Sequence, residues 1–197
     1  MTIPRPRGHP RWTPGSPALT LSAAFSVLTA FMMFIALTAP AAPAAAANGE
    51  TAAAAIDAQI AVNAQLAAAP GGKQISPTEV SYAGGAFVVT VVRTDNTSVG
   101  ADCPPGWFCF YDRVNYGYPR GKLSSCGWQD LAWWAWNDRT ESAHYNLSTG
   151  SVSFINHGMW TDHSDDRVVF SVGAGNRYLS DVGSGNRNIA DHVYRFC

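Results

Sequence analysis

Residues 103–112 read Cys103-Pro104-Pro105-Gly106-Trp107-Phe108-Cys109-Phe110-Tyr111-Asp112. A Pro-Pro-Gly turn between two cysteines leads directly into aromatic residues, which favour a pleated, half-buried surface. The stretch predicts a strand over Trp107–Tyr111 that starts at a cross-linked turn. Ser151–Ile155 and Arg167–Val172 are β-prone runs of the same kind, bordered by turn residues. Beyond about Gly100 no long segment keeps a helical period, and six of the seven tryptophans lie there. The expected fold class is therefore all-β, a sandwich of short strands.

All four cysteines, Cys103, Cys109, Cys126 and Cys197, fall in the second half of the chain. An even count in an exported protein predicts disulfides, and three pairings exist. The Pro104-Pro105-Gly106 turn favours Cys103 with Cys109, which leaves Cys126 with Cys197. Neither C-x-x-C nor a closely spaced Cys/His set points to a metal site.

The same region reads as two similar halves. Phe110 corresponds to Phe154, and Asn137-Asp138-Arg139 with Tyr145 corresponds to Asn186-Arg187-Asn188 with Tyr194. Each unit has room for four short strands, so two Greek keys packed face to face are expected.

Upstream, three arginines precede an apolar run from about Ala18 to Ala39 and a small-residue stretch ending at Ala47, the pattern of a cleaved export signal over residues 1–47, with an uncleaved membrane anchor as the alternative because the run is long enough to span a bilayer. Residues 48–100 read as an Ala-rich helix with Ile56, Ile60 and Leu66 at helical spacing, then a β-hairpin from Glu79–Tyr82 and Ala86–Val92. So few large apolar side chains make this extension or pro-segment marginal alone. Phe87–Val92 would aggregate if bare, which predicts that it docks. Residues 101–197 form the principal domain. Beyond residue 47 ten basic and fourteen acidic residues remain, net −4. That charge lacks the electrostatic footprint of a nucleic-acid binder and suits neither anionic membranes nor, once the signal is gone, any membrane role.

Residues 103–112, followed by Asn115-Tyr116-Gly117 and by Trp136-Asn137-Asp138-Arg139 with Ser142 and Asn146, resemble the secreted βγ-crystallin-like peptidase inhibitors, the Streptomyces metalloproteinase inhibitor type. The resemblance covers about residues 70–197. It implies two Greek-key motifs, a secreted location, no enzymatic activity, and inhibition of a secreted peptidase, a metallopeptidase by analogy. A non-inhibitory extracellular structural or calcium-binding protein is the alternative. Where the family has a glycine this chain has Tyr118, so a turn remodelled around Tyr118-Pro119-Arg120 is expected. The family's calcium pattern is matched by Asn137, Asp138 and Ser142, with Glu141 in the hydroxyl position. Calcium is the only cofactor considered, and turn residues without metal are the competing account.

For the inhibitory loop, the ten residues His157–Asp166 offer Met159 and Trp160 as apolar anchors. Tyr116–Arg120, with Arg120 suited to a trypsin-like pocket, is the competitor. His163 among Asp162, Asp165 and Asp166 reads as a solvated loop, while His144, His157 and His192 are scattered and match no catalytic spacing. Trp133, Trp134 and Trp136 are expected to serve as a packing cluster.

Overall fold

The computed structural model describes residues 44–94, 100–158 and 163–197, with side chains from residue 51 onward. Met159 and Trp160 lie outside the described residues, as does all of the export signal up to residue 43. Helix α1 (Ala44–Ala68) is followed by strands β1 (Lys73–Ser76), β2 (Glu79–Tyr82) and β3 (Phe87–Thr90). Eight more strands come after: β4 (Trp107–Arg113), β5 (Gly117–Leu123), β6 (Gly127–Asp130), β7 (Ser142–Asn146), β8 (Ser151–Asn156), β9 (Arg167–Gly173), β10 (Tyr178–Leu179) and β11 (His192–Phe196). They build two antiparallel sheets, ordered β1-β2-β3-β5-β4-β7-β10 and β6-β11-β8-β9.

The strand order exchanges one strand each way. β6 leaves its chain neighbours β5 and β7 to pair with β11, and β10 leaves β9 and β11 to pair with β7. Both inner faces supply one core, which Phe110 of β4 and Phe154 of β8 join edge to face at 5.7 Å. Burial of such aromatic pairs supplies area and orientation together. Trp136 closes the core against Phe110 at 5.3 Å and is fully buried. Of the three clustered tryptophans, Trp134 and Trp136 are core, whereas Trp133 stands exposed.

The segment before Gly100 belongs to the larger sheet. β3 is buried along its whole length and is paired on both sides, by β2 and by β5. Phe87 stacks on Trp134 at 4.3 Å, so the expected docking is met by a paired and covered strand. Helix α1 packs here through Ala58, Val62 and Gln65, a spacing of four and three residues that makes one face, and Ala69 just past its end is buried too. Gln65 donates to the Trp134 carbonyl (3.0 Å) and to the Tyr82 hydroxyl (3.2 Å). Of the three residues at helical spacing, Ile56 and Ile60 are exposed and Leu66 packs against the core. Because α1 is mostly alanine, its periodicity is too weak for two isoleucines to define the contact.

The first turn also differs from expectation. The chain reverses at Val114–Tyr116, where Asn115 (φ 54°) and Tyr116 (φ 61°) take the left-handed conformation, and Tyr118–Arg120 already lie in β5. Gly121 is the required glycine: it faces Phe110 across the ladder, where a Cβ would come 2.5 Å from the ring. Both expected disulfides are present, Cys103–Cys109 and Cys126–Cys197.

His144 on β7 makes this core sensitive to acid. It is buried, neither ring nitrogen has a hydrogen-bond partner, and its ring stacks on Tyr178 at 4.4 Å. Burial and, secondarily, Arg177 hold its pKa below the ordinary 6.5, against an opposing pull from Asp102. A depressed histidine leaves the unfolded chain binding more protons, so stability present above pH 6.5 is lost as pH falls below it. His144→Phe is expected to flatten the stability–pH slope there by up to about 1.4 kcal/mol per pH unit. Urea unfolding at stepped pH checks this, and an unchanged slope would remove His144 from the account.

Candidate functional site

The connection from β8 to β9 returns toward the start of β11, and there three histidines from three places in the chain meet. His157 follows β8, His163 lies in the connection, and His192 opens β11, in register with Ile155 of β8. Their ring centroids are separated by 5.0 Å (157–163), 5.3 Å (157–192) and 5.4 Å (163–192). Asp166 completes the group: Oδ1 is 2.8 Å from His157 Nδ1 and Oδ2 is 3.2 Å from His163 Nδ1. One ligand atom from each of the four residues lies within 4.8 Å of every other.

Local folding sets this geometry. The backbone N–H of Asp166 donates to the His163 carbonyl, a tight turn that lets both side chains face the same way. The His157 N–H donates to Asp191 Oδ2 (2.7 Å), which pins the end of β8 to the residue before β11. Gly158 passes against the Asp165 carboxylate, leaving no room for a Cβ. Trp128 of β6 covers the group, its ring 4.7 Å from His192 and 4.9 Å from His163.

Two histidines of the group are pushed in opposite directions. The hydrogen bond that its ring donates to Asp166 raises His157 above the ordinary value, whereas burial lowers His192, despite the pull of Asp130 and Asp166. Both ring nitrogens of His192 are buried without a hydrogen-bond partner, as is Oδ2 of Asp166. Asp130 Oδ1 stands 3.7 Å from His192 Nδ1, beyond hydrogen-bond reach. An open cleft of about 400 Å³ adjoins the group, lined in part by Asp130, Asn137, Asp138 and Asp191.

Comparison with protein-family models, with curated proteins and with solved structures returns no match.

His163 and Asp165 are exposed, as a solvated loop requires, and His163 and Asp166 also belong to the convergent cluster. Their convergence is not visible in sequence because His192 is far away, and only the β8–β11 pairing brings it beside His157.

The calcium-pattern residues divide between two environments. Asn137 and Asp138 line the cleft, where burial and the nearby Asp191 raise the Asp138 carboxyl. Glu141 instead accepts from the Val114 N–H (3.1 Å) and the Asn188 amide (2.8 Å). Ser142 Oγ donates to the Arg113 carbonyl (2.7 Å) and accepts from the Tyr116 N–H (3.1 Å). Both side chains brace the turn at Val114–Tyr116. Arg120, the competing anchor, is buried with its guanidinium on Asp102 and Thr90, so it does not present a cation to a partner.

Proposed function

We propose that the chain is an exported, disulfide-braced binding protein of the βγ-crystallin-like peptidase-inhibitor kind, which offers its β8–β9 connection to the cleft of a secreted peptidase. Two four-stranded Greek-key units, each lending its third strand to the other sheet, account for the orders β5-β4-β7-β10 and β9-β8-β11-β6. The observation that carries the function is the fastening of the connection at both ends. His157 holds Asp166 through its ring (2.8 Å) and Asp191 through its backbone (2.7 Å), directly beside the Asn156–Arg167 pair that ends the ladder. A loop whose stems are already ordered loses less conformational freedom on binding, which is the requirement for an inhibitor that occupies a cleft tightly. By the family resemblance the target is a metallopeptidase, and no catalytic step is assigned to the chain itself.

The test replaces Met159 and Trp160 together with serine. Against a panel of secreted metallo- and serine peptidases, the parent is expected to inhibit at least one. The variant is expected to lose at least about tenfold in affinity, the loss of one anchoring residue's contribution, with melting unchanged. A fall in melting temperature of several degrees would make the two residues part of the core instead. Inhibition and melting both left intact would exclude this connection as the inhibitory element.

A further inference from the structure

We propose that His157, His163, His192 and Asp166 form a binding site for one divalent transition-metal ion of the zinc class. The inference is independent of peptidase inhibition, since it concerns only what the four side chains hold.

The donor set comes first. Three imidazoles and one carboxylate suit Zn²⁺ and its neighbours Co²⁺, Ni²⁺ and Cu²⁺, whereas Ca²⁺ prefers an all-oxygen shell. Spacing is the second argument. A four-coordinate ion with bonds of about 2.0–2.1 Å needs ligand atoms about 3.3 Å apart. Asp166 Oδ1 lies 2.8 Å from His157 Nδ1 and Oδ2 lies 3.2 Å from His163 Nδ1, and one ligand atom from each of the four residues can be chosen so that no pair exceeds 4.8 Å. Closing the widest pair takes a shift of about an ångström or more, within reach of His163, whose side chain is half exposed.

The third argument is independent of both and points to a ligand. His192 is 5% exposed, yet neither of its ring nitrogens has a partner. Buried polar groups in folded proteins are almost always satisfied, so an imidazole aimed into a cluster of ligand atoms with nothing bonded to it calls for an explanation. A cation bound to one nitrogen supplies it. Asp166 Oδ2, equally buried and without a hydrogen bond, is satisfied by the same ion.

The surroundings fit a resident cation. Asp130 lies 3.7 Å from His192 Nδ1, close enough for a small ring rotation to make the carboxylate–histidine contact that commonly orients a ligating imidazole. Asp191 holds the His157 backbone in place, and Trp128 covers the histidines. Because the ligands come from the end of β8, the connection and the start of β11, a bound ion ties three parts of the fold at one point.

The experiment uses the folded, disulfide-bonded protein, stripped with chelator and titrated with Co²⁺, Zn²⁺ and Ca²⁺. Co²⁺ is expected to bind at one equivalent with the visible spectrum of a four-coordinate nitrogen–oxygen centre. Zn²⁺ should displace it, the melting temperature should rise with Zn²⁺ concentration, and Ca²⁺ should not compete. His163→Ala and His157→Ala are each expected to weaken Co²⁺ binding at least about tenfold, since loss of even an outer-shell partner commonly costs that much. Melting in chelator reports whether each variant folds. Should His157→Ala fail to fold, the half-exposed His163 decides alone. Absence of Co²⁺ binding to the folded parent, displacement by Ca²⁺, or binding that His163→Ala leaves unchanged would overturn the site.

Discussion

Replacing Cys126 and Cys197 with alanine is expected to lower the unfolding free energy by about 4–5 kcal/mol, against about 2 kcal/mol for Cys103 and Cys109. The sequence separations are 71 and 6 residues, and a longer loop has more conformational freedom in the unfolded chain for the bond to remove. Native geometry supports the same ranking. Cys126 directly precedes β6 and Cys197 directly follows β11, and those strands pair from Gly127–Arg195 to Asp130–His192. The bond therefore clamps the open end of a ladder that begins the smaller sheet, next to the Arg195 side chain, which donates to the Ser124 carbonyl. The short bridge only tightens a turn that Gly106, bonded to the Asn146 carbonyl at 2.8 Å, already closes. Equilibrium unfolding in urea of the two double variants measures both numbers, and the reverse order would refute the entropic account.

Arg120→Ala is expected to cost about 3 kcal/mol, because it takes the main cation from the half-buried Asp102 carboxylate. Arg120 is 6% exposed on β5, its Nη1 3.0 Å from Asp102 Oδ2 and its Nη2 donating to Thr90 Oγ1 at 2.9 Å. The Asp102 carboxylate also accepts from the hydroxyls of Tyr111 (2.9 Å) and Tyr118. Burial alone would raise its pKa, but the Tyr118 hydrogen bond, Arg120, Tyr111 and Arg93 together hold it below the usual carboxylate range. A depressed carboxylate contributes stability that is present above its unfolded value near 3.8 and lost as pH falls through the lower folded value. The gap between parent and Arg120→Ala should therefore be full at neutral pH and shrink below about pH 4, where Asp102 takes up a proton in the variant. Unfolding at pH 7 and pH 3 checks both points. Since Thr90 and Glu79 touch the same guanidinium, the variant should also be cut faster by proteases within residues 73–90. Unchanged cleavage there would mean that β-pairing alone retains the segment.

The strands that were legible from sequence are those rich in aromatic and β-branched residues: β2, β3, β4, β8 and β9 sit within a residue or two of their expected spans. β5 was hidden because Gly117-Tyr118-Pro119-Arg120-Gly121-Lys122-Leu123 has almost no intrinsic strand preference. It is a strand because β3 and β4 pair with it on either side, and because Gly121 lets the Phe110 ring lie against its backbone. β10 is only two residues long, held by His144 and Ala143 of β7. The candidate site followed the same division. Its ligand types were visible, but adjacency in sequence joined His163 to Asp165 and Asp166 and gave no hint of His192.

Sequence by itself determined the all-β class, the strands that carry Phe110 and Phe154, and the two disulfides, because composition and turn chemistry are local properties. Tertiary structure alone decided that Arg120 turns inward to Asp102 and that His157, His163, His192 and Asp166 share one point. Those outcomes depend on which strands become neighbours, and strand order is set by the burial of both sheet faces in one core, a property of the whole chain that no short window carries.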